Sequence, residues 1–211
     1  MRSIRAATTE EVTRSSGHWV FIDLGFAKDA KSCGLLVDDG DARTMTFSRL
    51  GAEIAAICSI GTGPINLLIE APLSVAFGAT GNPIGRSIEL RDGQSRYWYV
   101  GLGCAVLVAA TYLLRSIFEL PLTGREIRLV EGLVSFKPRG VRSSHTADVE
   151  ALRSVVWQQP GATGLVVAAS ELAMNPTDRL MSAFTVSGMD FGVPPVVIAN
   201  SSTPSDSGAM P

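Results

Sequence analysis

The chain has 211 residues, 46% of them hydrophobic and 18% charged, with a formal net charge of −2 at pH 7. That is enough apolar material for one domain with a sizeable core, which excludes a disordered chain and any global basic footprint for nucleic acid. Three widely spaced cysteines, Cys33, Cys58 and Cys104, form no zinc or disulfide pattern and read as buried free thiols in a reducing, cytoplasmic setting.

In chain order, residues 1–17 mix Arg2, Arg5 and Arg14 with Glu10 and Glu11, contain no apolar signal region and read as a flexible segment. His18–Leu24 (HWVFIDL) and Cys33–Val37 (CGLLV) predict strands, separated by a turn-like spacer with Gly25, Lys28, Asp29 and Lys31. Thr44–Phe47 completes a three-strand meander. Leu50, Ile54 and Ile57 then recur at helical spacing from about Arg49 to Ser59, where Gly61, Gly63 and Pro64 stop the run.

Asn66–Glu70 (NLLIE) predicts a further strand, followed over about 72–125 by an insertion of loop and helix. The helix extends from Tyr97 to about Phe118. Its core, Val100 to Leu114, is almost uninterrupted apolar residues, but fifteen residues rise only ~22 Å against a ~30 Å hydrocarbon layer. A buried helix is expected there, not a membrane span. Glu126–Glu131 (EIRLVE) predicts a strand, which Val134–Pro138 either continues or leaves. His145–Trp157 predicts an amphipathic helix, with Asp148 and Glu150 complementing the dipole of its first turn. Leu165–Ala169 is too short to assign. Asn175-Pro176-Thr177-Asp178 predicts a helix start, with Leu180, Met181 and Phe184 as its apolar stripe. Residues 200–211 read as a disordered tail. The sum is one α/β domain over 18–199, with a mixed sheet in which an antiparallel meander adjoins parallel strands and helices cover both faces.

Three apolar strands each end on a carboxylate: Asp23, Glu70 and Glu131. An ionised carboxylate in a buried strand is costly unless paired or metal-bound, and the carboxyl ends of strands are where open α/β sheets bind ligands. Asp178, in the first turn of the last predicted helix, is the fourth acid that can face that edge. Clustered carboxylates repel, and hard divalent cations such as Mg²⁺ or Mn²⁺ relieve the conflict. Each acid also has a plainer reading as a turn, strand-end or capping residue. Lys137 and Arg139, close after Glu131, and Arg86 in the insertion are candidate phosphate contacts, with solvated loops as the alternative. His145, near a helix start, reads as a capping or surface residue.

Taken together, HWVFIDLGFAKDAKSCGLLVDDG, LLIEAPLSVAF with Gly85-Arg86, RLVEGLVSFK and TDRLMSAF resemble the ribonuclease H-like superfamily, nearest to its predicted-nuclease branch. The resemblance spans roughly Trp19 to Val197. It implies a ribonuclease H-like sheet, Asp23, Glu70, Glu131 and Asp178 as metal-binding and catalytic acids, and two-metal hydrolysis of DNA or RNA. Where the branch often carries His-Pro or Tyr-Pro after the third acid, Gly132-Leu133-Val134 stands here. Two rival readings stay open. One is a non-catalytic module of the same fold, whose apolar helix packs on a partner or a second copy to make a homodimer. The other is an actin-like phosphotransfer domain, for which Asp23-Leu24-Gly25 with Lys28 is the only phosphate-loop feature.

Overall fold

The run Trp19-Val20-Phe21-Ile22 has no polar alternation, the pattern of a strand covered on both sides, and it forms an interior strand of the main sheet in the computed structural model. The structure describes residues 3–14, 16–25, 31–91, 94–95, 102–119, 125–135 and 144–200. Its strands are β1 (Ser3–Ala6), β2 (His18–Asp23), β3 (Cys33–Val37), β4 (Arg43–Met45), β5 (Ile65–Glu70), β6 (Ser74–Phe77), β7 (Pro83–Ile84), β8 (Leu90–Arg91), β9 (Gln94–Ser95), β10 (Glu126–Ser135), β11 (Gly164–Val167), β12 (Arg179–Ser182) and β13 (Val196–Asn200). Its helices are α1 (Thr9–Thr13), α2 (Phe47–Ser59), α3 (Leu102–Glu119) and α4 (His145–Val156).

The main sheet runs β11-β13-β10-β5-β2-β3-β4. The meander β2-β3-β4 is antiparallel, whereas β2, β5, β10 and β13 lie parallel in turn. β1 pairs with the first half of β10 and β13 with its second half, so the two share one edge of that long strand. The chain is thus a mixed α/β domain with a mostly parallel centre. The two layers of helix divide the core. On one face Val20, Ile22, Leu67, Ile69 and Leu129 meet Leu50 and Ile54 of α2 and Ala110, Leu113 and Leu114 of α3. On the other, Trp19, Phe21, Leu68, Val130 and Val197 meet Val149, Leu152 and Val156 of α4. The insertion after β5 supplies β6 and β7, which join β12 in a small sheet, and a two-stranded ribbon, β8-β9.

Several expectations change. The segment before His18, expected to be flexible, carries a strand and a capped helix. Thr8 accepts from Glu11 N while the Glu11 carboxylate accepts from Thr8 N at 2.8 Å, a reciprocal capping box. The run from Asn175 is not a helix. The Asp178 carboxylate accepts from Asn175 N at 2.8 Å and closes a turn, and Arg179–Ser182 then pairs with β6. The local start signal is real, but a partner strand from the insertion captures the residues after the turn. β10 continues through Val134 to Ser135, and Gly164–Val167 becomes an edge strand. α3 buries one side, and Val108 and Tyr112 remain exposed on the other. Cys104, expected to be buried, is exposed, while Cys33 and Cys58 are buried. Among the described residues no helix is long and apolar enough to cross a membrane. The tail 201–211 lies outside the described residues.

Candidate metal centre

One row across the sheet builds the site. Gly34 of β3, Asp23 of β2, Glu70 of β5 and Gly132 of β10 are successive cross-strand partners, so all four positions present the same face. Two acids therefore stand side by side at strand ends with a glycine on either flank. The glycines set the depth of the trough. A Cβ at Gly34 would lie 2.5 Å from the carbonyl oxygen of His145, and one at Gly132 would lie 2.6 Å from Leu68 Cδ2 and 3.1 Å from Leu152 Cδ1. Without those atoms α4 seats its first turn directly over the acids. Gly25 acts earlier in the chain: its Cβ would collide with the Ser32 carbonyl, so only glycine lets the chain close this tightly after Asp23.

α4 delivers the third acid. Ser144 caps the helix by accepting from Ala147 N, and Asp148 follows in the first turn. Asp148 is 4% exposed, far from the solvated charge expected of a dipole-complementing residue. One ligand oxygen from each of Asp23, Glu70 and Asp148 lies within 4.8 Å of the others. His145, three residues before Asp148 and so on the same helix face, sets its Nδ1 2.5 Å from Asp23 Oδ2. Glu70 also accepts from Val134 N at 3.4 Å. The donor set is all oxygen, from carboxylates that repel one another at this spacing, which fits a hard divalent cation such as Mg²⁺ or Mn²⁺.

Of the four acids singled out by sequence, the structure brings together Asp23 and Glu70. Glu131 lies one residue out of phase. Its cross-strand partner is Ile69, so its side chain leaves by the opposite face. There it is fully buried: Oε2 accepts from Arg86 Nη1 and from Leu73 N, each at 2.8 Å, and Oε1 faces Arg86 Nη2 at 2.8 Å. Burial pushes the Glu131 carboxyl above its ordinary value, with Arg86 opposing. Asp178 is held in its turn by Asn175 and does not join the acidic group. Arg86, a candidate phosphate contact, is 0% exposed and closed in by Glu131, Glu89 and Ser74, so it has no surface to offer a substrate. Lys137 and Arg139 lie outside the described residues. Sequence reasoning passed over Asp148 and His145. A signal was there: Asp148 falls on the stripe that Val149, Leu152 and Val156 bury, where a merely solvated acid does not belong. No protein-family model, curated protein or solved structure matches the chain.

Proposed function

We propose that this chain is a divalent-cation-dependent phosphodiester hydrolase with a ribonuclease H-like sheet, using Asp23, Glu70 and Asp148 as cation ligands. The observation that carries the reading is the convergence of those three carboxylates, from a central strand, its parallel neighbour and a helix packed over both. The strand order supports it. An antiparallel meander on one side of β2 and parallel strands on the other is the arrangement expected of that superfamily, with Asp148 taking the place first given to Asp178. Bound Mg²⁺ or Mn²⁺ would supply an activated water and stabilise charge on the leaving oxygen.

The chain's own residues do the rest. Asp23, buried at the strand end and flanked by Glu70, is placed to be the shared ligand. His145 sits against the Asp23 carboxylate and fixes its orientation. The roof of α4 limits access by water from that side. Nucleic acid, DNA or RNA, is the proposed substrate class, with Lys137 and Arg139 as its phosphate contacts. The test is Mn²⁺ titration of the whole chain by calorimetry, followed by cleavage assays on single- and double-stranded DNA and RNA. Binding to native protein and metal-dependent cleavage are expected. A wild-type chain that takes up Mn²⁺ yet cleaves nothing would leave a non-catalytic module of the same fold.

A further inference from the structure

Behind the acids, on the other face of the sheet, lies a second charged group that metal ligation does not use. Arg86, Glu89 and Glu131 are 0%, 2% and 0% exposed. Arg86 donates from Nε and Nη2 to Glu89 Oε1 at 3.1 and 2.9 Å, from its backbone N to Glu89 Oε2 at 3.0 Å, and from Nη1 to Ser74 Oγ at 2.8 Å. Glu131 completes the group and also receives Leu73 N. A buried ion cluster is weak evidence of stabilisation, because hydrophobic side chains of similar volume often serve as well or better. Its location needs another account.

Leu73 is three residues beyond Glu70. Between them the chain turns sharply, with Ala71 N donating to Ile69 O at 2.9 Å, and Leu73 O accepts from Ala183 N at 3.0 Å. Glu70 is the last residue of β5: Asp23 and Gly132 flank it across the sheet and its carboxylate accepts from Val134 N, but the strand does not continue beyond it. Past the Ala71 bond to Ile69, the chain is next tied by Leu73 N donating to Glu131, which sits beside Gly132, the cross-strand partner of Glu70. We infer that the Arg86–Glu89–Glu131 cluster is a positioning device that sets the Glu70 carboxylate for cation binding from behind the sheet. The inference rests on the cation-site reading above. Glu131 is a positioning residue and touches no ligand.

Two variants of the whole chain test it, with Mn²⁺ as the probe. In the triple variant Arg86→Met, Glu89→Gln, Glu131→Leu the charges are removed together and volume is kept. Thermal melting close to wild type with a Mn²⁺ dissociation constant raised roughly tenfold or more is the expected result, the scale seen for outer-shell partners of metal ligands. Glu131→Gln is the milder variant and decides the matter by the same criteria if the triple variant does not fold. Its amide nitrogen faces either Leu73 N and Arg86 Nη1 or Arg86 Nη2, donor against donor. The Mn²⁺ electron paramagnetic resonance line shape, which a purely structural role would not move, should change in both. Wild-type-like melting with Mn²⁺ affinity within about twofold of wild type overturns the positioning role and leaves the cation site standing. A wild-type chain that takes up no Mn²⁺ removes the site and this inference together.

Discussion

Asp148 and Asp178 both read in sequence as first-turn acids, but their environments assign them opposite tasks. Asp178 is part-exposed and spends its carboxylate on Asn175 N and Nδ2. Asp148 is buried within reach of two other carboxylates. Asp178→Asn keeps an acceptor oxygen for the turn and should leave Mn²⁺ affinity and cleavage unchanged, with stability within about 0.5 kcal/mol of wild type. Under the proposed cation site, Asp148→Asn should lower cleavage by about two orders of magnitude or more, because it would remove a ligand and not a bystander. Equal behaviour of the two variants in a metal-dependent cleavage assay would sink the assignment. The strand acids were legible to different degrees for one physical reason. β2, β5 and β10 are buried on both faces, so their sequences lack the alternation that tells one face from the other. Asp23, Glu70 and Glu131 consequently look equivalent in sequence, and only the inter-strand register separates Glu131 from the other two.

At the scale of elements, the site depends on how closely α4 approaches the sheet. Gly34 is the narrowest point, since its missing Cβ is faced by the backbone of His145, which has no flexible side chain to swing away. Gly34→Ala should displace the start of α4, cost about 1–3 kcal/mol by overpacking, and weaken Mn²⁺ binding as His145 and Asp148 move off the acids. Gly51, inside α2 with nothing within 4 Å of its would-be Cβ, is the control. Gly51→Ala should stabilise by up to ~1 kcal/mol through helix propensity and leave Mn²⁺ binding alone. Denaturant unfolding paired with Mn²⁺ calorimetry checks both, and a Gly34→Ala protein with wild-type Mn²⁺ affinity would refute the close-approach argument. The same scale explains which elements were readable. The meander, α2, β5, β10 and α4 carry strong apolar runs and local stop signals. β1, β6, β12 and β13 are short strands that exist through non-local pairing, and a few residues of strand propensity say little without the partner.

Across the whole molecule, two charged groups on opposite sides of the fold give the stability two opposing dependences on pH. At the β1–β10 edge, Arg5 and Arg128 are direct cross-strand partners, an unfavourable like-charge pairing offset by acids on both sides. Glu11 lies 2.6 Å from Arg5 and 3.1 Å from Arg128, and Glu126 contacts each at 2.8 Å. The Arg5 hydrogen bond is the main cause lowering the Glu11 carboxyl from 4.5 to about 2, and Glu126, bonded to Arg128 and Arg5, is lowered as well. A carboxyl lowered on folding adds stability above its unfolded value, and that stability is lost as pH falls from 4.5 through about 2. Glu131 runs the other way. Its buried carboxyl is raised, so the folded state holds the proton more readily, and its contribution is largest below 4.5 and fades as pH climbs through the raised value. Thermal melting should thus show an acid limb, where stability is lost as pH falls below 4.5 through Glu11 and Glu126, and a limb toward neutrality, where it is lost as pH rises above 4.5 through Glu131. Glu11→Gln keeps an acceptor for Thr8 N but loses the charge, so it should flatten the acid limb alone. Glu131→Gln should flatten the limb toward neutrality and leave the acid limb in place. An acid limb of unchanged steepness in Glu11→Gln would show that the charge cluster at the β1–β10 edge does not govern acid unfolding.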